Sequence, residues 1–255
     1  MTTNRLDGSL YTTIQDRIAT LEFGHPASNS FPRTLLDRLT KELNILSENK
    51  DVSVIVLTSE GDRAFCAGAS FDELVAISTF EEGKIFFSGF ANVINAMRKC
   101  SKIIIGRVQG KAVGGGVGLA AACDYVLATE AAAIKLSELT IGIGPFVIAP
   151  AVERKIGVAG LSELTLAATE WKNAYWAKEK GLYAKVFETQ QELNIEIESL
   201  ASALASYNPD ALTEMKNTLW KGTENWDALL LKRAAISGTL VLSDITKKAL
   251  EKFRK

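Results

Sequence analysis

Two stretches limit the fold more than any others: residues 53–58 (SVIVLT) and 102–108 (KIIIGRV), both β-branched, apolar and almost free of alternation. A strand that meets water on one face alternates polar and apolar residues; a strand covered on both faces does not. Such strands belong to parallel sheets with helices packed on either side. The flanking segments agree. Residues 32–49 place Leu35, Leu36, Leu39, Leu43 and Leu46 on a helical stripe, behind Pro32, which a first helical turn tolerates. Residues 17–23 (RIATLEF) alternate as a strand and stop at Gly24. Helical patterns follow at 86–99 and 114–123, and strand patterns at 125–128 and 133–136. Strands alternating with helices over the first ~150 residues predict a mainly parallel α/β core.

From Ala149 onward the strand signal fades, and helices are expected at 161–168, 174–180, 193–205, 211–220, 228–242 and 245–253. Asn208-Pro209-Asp210 reads as a helix start, with Asp210 as the expected N-cap. No low-complexity linker separates the halves. A core over residues 1–190 and a helical region over 191–255 are therefore expected to form one unit, the apolar tail covering a neighbouring subunit.

Composition narrows the function. The 255 residues carry 29 Lys plus Arg against 30 Asp plus Glu, a net charge of −1. That balance gives no general attraction to nucleic acid or anionic lipid. No apolar run approaches the ~20 residues that span a bilayer. Residues 1–18 lack the apolar segment of a secretory signal, and Cys66, Cys100 and Cys123 lack metal-ligand or disulfide spacing. Reduced thiols and a cytoplasmic location are expected. His25 is the sole histidine, which excludes a His-ligated cluster; in Phe23-Gly24-His25-Pro26 it is expected to shape a turn.

Two strand-to-helix turns are candidates for chemistry: residues 64–70 (AFCAGAS) after the first buried strand, and 110–119 (GKAVGGGVGL) after the second. Small residues let a ligand approach the backbone, and a helix start leaves N–H groups unpaired. Two such turns side by side can offer two donors to one oxygen. Neither GxxxxGK[ST] nor an early GxGxxG is present, so a nucleotide-binding loop or Rossmann site is not indicated. Cys66 has no histidine beside it to act as base, and is expected to be a small core residue. In LWKGTENW, Trp220 and Trp226 with Lys221 could suggest base stacking, but with this charge balance packing against a neighbouring subunit is the expectation.

The segments RIATLEFGHPASNS, VIVLTSEGDRAFCAGASFDEL, IIIGRVQGKAVGGGVGLAAACDYVLATE and IKLSELTIGIGP, with the ending SDITKKALEKF, resemble the crotonase (enoyl-CoA hydratase/isomerase) superfamily over nearly the whole chain. The resemblance implies an α/β crotonase spiral of ββα units with C-terminal helices. It also implies an acyl-CoA thioester as ligand, a homotrimer or dimer of trimers, and no cofactor besides the coenzyme A of the substrate. It would place an oxyanion hole at the backbone N–H groups of Ala69 and Gly115, with Ala67, Gly68, Ser70, Gly114, Gly118 and Pro145 against the substrate. The family's hydratases flank a water with two glutamates. One would fall at Gly118, where this chain has none; the other matches Glu138, which the resemblance makes the general acid/base.

Three departures matter. Gly118 removes one carboxylate, as in relatives that shift a double bond. Residues 142–152 (GIGPFVIAPAV) differ from the family's usual glycine-rich loop and look closer to the methylglutaconyl-CoA hydratase-like branch. Ser70 stands where Asp is common. The first departure points to isomerisation and the second to hydration; water addition to a 2-enoyl-CoA is the favoured expectation, with a Δ3-Δ2 enoyl-CoA isomerase as alternative and a non-catalytic or RNA-binding scaffold as a third class. Residues 76–90 and the helical tail are expected to wall the acyl pocket. Lys252, Arg254 and Lys255 stand open between CoA phosphates and solvent.

Overall fold

A computed structural model describes residues 7–252; Arg254 and Lys255 lie outside the described residues. Strands β1 (Ser9–Gln15) and β2 (Ile18–Gly24) form a hairpin, and α1 (Arg33–Glu48) leads to β3 (Val54–Ser59). After β4 (Ala64–Cys66) come α2 (Phe71–Ala76), α3 (Phe80–Lys99), β5 (Ile103–Val108), β6 (Lys111–Val113), α4 (Gly115–Ala122) and β7 (Tyr125–Thr129). β8 (Ile134–Lys135) precedes a short 3₁₀ helix, Glu138–Ile141. The remainder is α5 (Ala149–Leu166), α6 (Ala174–Glu179), β9 (Lys185–Phe187), α7 (Gln190–Ser206), α8 (Pro209–Leu219), α9 (Trp226–Leu240) and α10 (Asp244–Glu251).

One sheet has six strands in the order β1-β2-β3-β5-β7-β9, antiparallel only at β1–β2; a second has three parallel strands, β4-β6-β8. The unbroken apolar run in β3 is explained by its two covers. Ile55 and Leu57 point into the main core with the leucine stripe of α1, while Val54 and Val56 meet Leu193, Ile197 and Ala201 of α7. The first strand, β1, carries an exposed, polar pattern that gave no clear signal.

Two expectations are corrected. Asn208, not Asp210, caps α8, its side chain accepting the Asp210 N–H at 2.9 Å. Trp220 and Trp226 are buried within their own chain, edge to face at 5.8 Å, because both close over the main core. α8 is held there by Asp124, directly beyond the C-terminus of α4. Its carboxylate accepts the Lys216 Nζ (2.8 Å), the Trp220 indole N–H (2.6 Å) and the Ile104 N–H (2.7 Å). No described helix is long and apolar enough to cross a membrane.

Candidate active site

The register of the small sheet explains why the two glycine turns meet. β4 pairs with β6 (Cys66 opposite Ala112), and β6 with β8 (Val113 opposite Lys135). The chain therefore leaves three adjacent strands together, into the 67–69 bend, the 114–115 bend and the Glu138 turn. Close approach demands glycine at two of these places. Gly68 (φ +91°) would carry a Cβ 3.1 Å from the Val113 carbonyl and 3.4 Å from the Gly115 nitrogen. A Cβ on Gly116 would lie 2.4 Å from the Cys66 carbonyl oxygen.

The 67–69 bend is braced from one side. The Phe31 N–H donates to the Gly68 carbonyl (2.8 Å), and the Ser70 N–H to the Phe31 carbonyl (2.8 Å). Extended backbone alternates its donors, so the Ala69 N–H lies on the edge away from Phe31. Buried Asn29, which the sequence gave no reason to single out, ties this loop to the carbonyls of Glu60 (2.7 Å) and Ala64 (2.9 Å). Gly115 opens α4, where a first-turn N–H has no partner within its own helix. Gly114 donates to the Lys135 carbonyl at 2.9 Å and is spent structurally.

Both bends open onto a cavity of ≈ 170 Å³. Ala67, Gly68, Ala69, Gly114, Gly115, Glu138 and Pro145 are on its lining; Ser70 and Gly118 are not. Ser70 instead caps α2, accepting the Glu73 N–H. Gly118 is buried in α4 facing Ile148, which is itself on the lining. Sequence reasoning pointed to residues 76–90 as a wall, and Phe86, Phe87 and Phe90 of α3 supply it; Ser237 comes from α9 in the helical tail. Ile148 and Phe146 were missed. They carry no motif, only an apolar side chain in a loop.

Glu138 starts the 3₁₀ helix, which Gly142 closes in a left-handed conformation (φ +82°). The buried Thr246 of α10 donates to the Gly142 carbonyl at 3.1 Å, pinning this turn from the C-terminal end of the chain. Although Glu138 as a whole is half-buried, its Oε2 is enclosed and has no hydrogen-bond partner among the described residues. Burial raises its pKa from 4.5 to about 7, against a smaller lowering by its own backbone N–H. Among the described residues it is the one ionisable side chain on the lining. Cys66 bonds within its own bend, accepting the Gly68 N–H at 3.3 Å, and burial pushes its thiol up to about 12, so it stays protonated and unreactive. His25 shapes the turn before this loop, its ring Nδ1 accepting the Ala27 N–H at 3.2 Å.

Two bends of small residues and a buried carboxylate thus share one lining. Residues 13–251 match the family model described as enoyl-CoA hydratase/isomerase. The peroxisomal Δ(3,5)-Δ(2,4)-dienoyl-CoA isomerase of Arabidopsis thaliana is 31% identical over 199 residues, covering 72% of this chain and 70% of the relative. The likeness to the methylglutaconyl-CoA hydratase branch is matched by the mitochondrial enzyme of that name from Rattus norvegicus, 34% identical over 64% of this chain and 52% of the relative. In three dimensions the enoyl-CoA hydratase of Bacillus halodurans superposes with a TM-score of 0.88 at 20% identity, over 95% of this chain and 99% of the other. The fold is of the crotonase type, and the chain belongs to the enoyl-CoA hydratase/isomerase family.

Proposed function

We propose that the cavity binds an acyl-CoA thioester and that Glu138 moves one proton along its acyl chain, converting a 3-enoyl thioester into the conjugated 2-enoyl isomer. The carrying observation is that Glu138 is the only acid/base group among the described lining residues, while Ile148 fills the direction in which Gly118 lacks a carboxylate. This moves the preference from hydration, favoured by the sequence, to isomerisation. Adding water needs one group to activate the water and another to deliver the α-proton. A 1,3-proton shift needs one group that takes a proton and returns it.

The step balances within the substrate. The Glu138 carboxylate removes a proton from C2, and the electron pair spreads onto the thioester oxygen and C4. The Ala69 and Gly115 N–H groups donate to that oxygen as its charge develops; losing one such donor costs ~10²–10³ in rate in other enzymes. Protonated Glu138 then gives the proton to C4, and the double bond rests between C2 and C3. A carboxyl near pKa 7 serves both halves, since neither protonation state is strongly preferred at neutral pH.

Water addition to a 2-enoyl-CoA is the second reading. Two wall hydroxyls, Ser137 and Ser237, favour it by offering places to hold a water, and the rat relative named a hydratase agrees. Neither serine titrates, so it ranks second. Incubation with 3-hexenoyl-CoA and with crotonyl-CoA separates the two. Isomerisation predicts that the first gives a conjugated enoyl thioester while the second is consumed at least ~10²-fold more slowly. Crotonyl-CoA hydration at a comparable rate contradicts it.

A further inference from the structure

The cavity also limits which acyl group fits. Its walls are rings and branched chains: Phe86 and Phe87 of α3 stand edge to face at 5.0 Å, and Phe146 folds back so that a Cβ on Gly144 would meet its Cζ at 2.6 Å. α3 and α9 cross at glycines, a Cβ on Gly83 falling 2.9 Å from the Gly238 Cα, and this approach brings Ser237 of α9 onto the lining beside those rings. Among the described residues, no lysine, arginine or histidine is on the lining. Arg233, one turn before Ser237, donates to the Phe146 carbonyl at 3.4 Å without joining it. Among the described lining residues the one charge available is the carboxylate of Glu138.

From this we infer that the cavity selects a short, uncharged acyl group and rejects one ending in a carboxylate. The inference rests on the acyl-CoA reading of the site. A terminal carboxylate would enter apolar surroundings without a counter-charge and near another acid, which is strongly unfavourable. Size follows from volume. A dry cavity of about 150 Å³ takes a six-carbon ring such as benzene, and this one is ≈ 170 Å³ with the reacting centre, Ala69, Gly115 and Glu138, on the same lining. An acyl group of about six carbons is accommodated within it.

Saturated thioesters test this without turnover. In isothermal titration of the full chain, hexanoyl-CoA is expected to bind about 10²-fold more tightly than adipoyl-CoA, which has the same carbon count but a terminal carboxylate. Dodecanoyl-CoA is expected to bind at least about tenfold more weakly than hexanoyl-CoA. Arg233→Gln is expected to leave the hexanoyl to adipoyl ratio unchanged. Adipoyl-CoA binding within about threefold of hexanoyl-CoA, or a ratio that rises in Arg233→Gln, overturns the rejection of charge. Dodecanoyl-CoA binding as tightly as hexanoyl-CoA overturns the size limit. If none of the three binds, the acyl-CoA reading itself fails, a result distinct from a reversed preference.

Discussion

Ile148 occupies the space that a side chain on Gly118 would need: a Cβ built on that glycine lies 2.4 Å from the Ile148 Cγ2 and 2.7 Å from its Cβ. The two positions come from different elements, α4 and the loop before α5, and their exchange of volume is what leaves the cavity with a single carboxylate. A missing glutamate at Gly118 is visible in the sequence. That an isoleucine side chain stands where a side chain at this position would start belongs to packing.

Gly118→Glu alone is therefore expected to destabilise the fold, since overfilling a packed core costs about 1–3 kcal/mol. It should lower the urea midpoint and confer no hydratase activity. Pairing it with Ile148→Gly removes the obstructing side chain, recovers part of the stability and should bring measurable hydration of crotonyl-CoA. A single Gly118→Glu variant as stable as the wild type would show that Ile148 yields freely.

The raised pKa of Glu138 sets the pH profile. Proton abstraction needs the carboxylate, so kcat/KM for 3-hexenoyl-CoA should rise with pH and level off above about 7, rather than above the ordinary 4.5. Stability runs the other way. Between 4.5 and about 7 the folded chain keeps a proton that the unfolded chain has released, so this group's stabilising contribution falls as pH rises through that window. Denaturation at several pH values should show that slope in the wild type and a flatter one in Glu138→Gln.

The pair of donors is tested on the ligand itself. Isotope-edited infrared spectra of crotonyl-CoA bound to the protein should show the thioester carbonyl stretch moved to lower frequency, as hydrogen bonds from Ala69 and Gly115 weaken the C=O bond. Gly115→Ala should reverse much of that shift, because its Cβ would lie 2.3 Å from the Phe90 Cζ and displace the start of α4. An unshifted carbonyl in the wild type would place the thioester elsewhere.

The Asp124–Lys216 pair is 2.8 Å long with both side chains almost fully buried. Removing one partner leaves an uncompensated charge, so Lys216→Met should cost about 3–5 kcal/mol in urea unfolding. A loss below about 1 kcal/mol, the range of exposed pairs, would mean that water already reaches Asp124.

How much of this was readable differs by element. β3 and β5 were legible because covering both faces of a strand leaves a composition that few other structures share. The leucine stripe of α1 was legible for the same kind of reason, and all five leucines are buried. The edge strands β1 and β9 were not: one is polar and mostly exposed, the other only three residues long. At the site, the two glycine bends stood out by their residue types, and Glu138 only through the family resemblance. Asn29, Phe146, Ile148 and Thr246 could not, because each acts by what it touches across the fold, and no local pattern encodes that.

The central claim is that one carboxylate, Glu138, carries the proton, and Glu138→Gln tests it most directly. Glutamine keeps the volume of the side chain and removes its basicity. The variant should bind hexanoyl-CoA within about threefold of wild type while losing at least ~10³-fold in kcat/KM for 3-hexenoyl-CoA. If it isomerises that thioester within about tenfold of the wild-type rate, another group moves the proton and the account of this site is wrong.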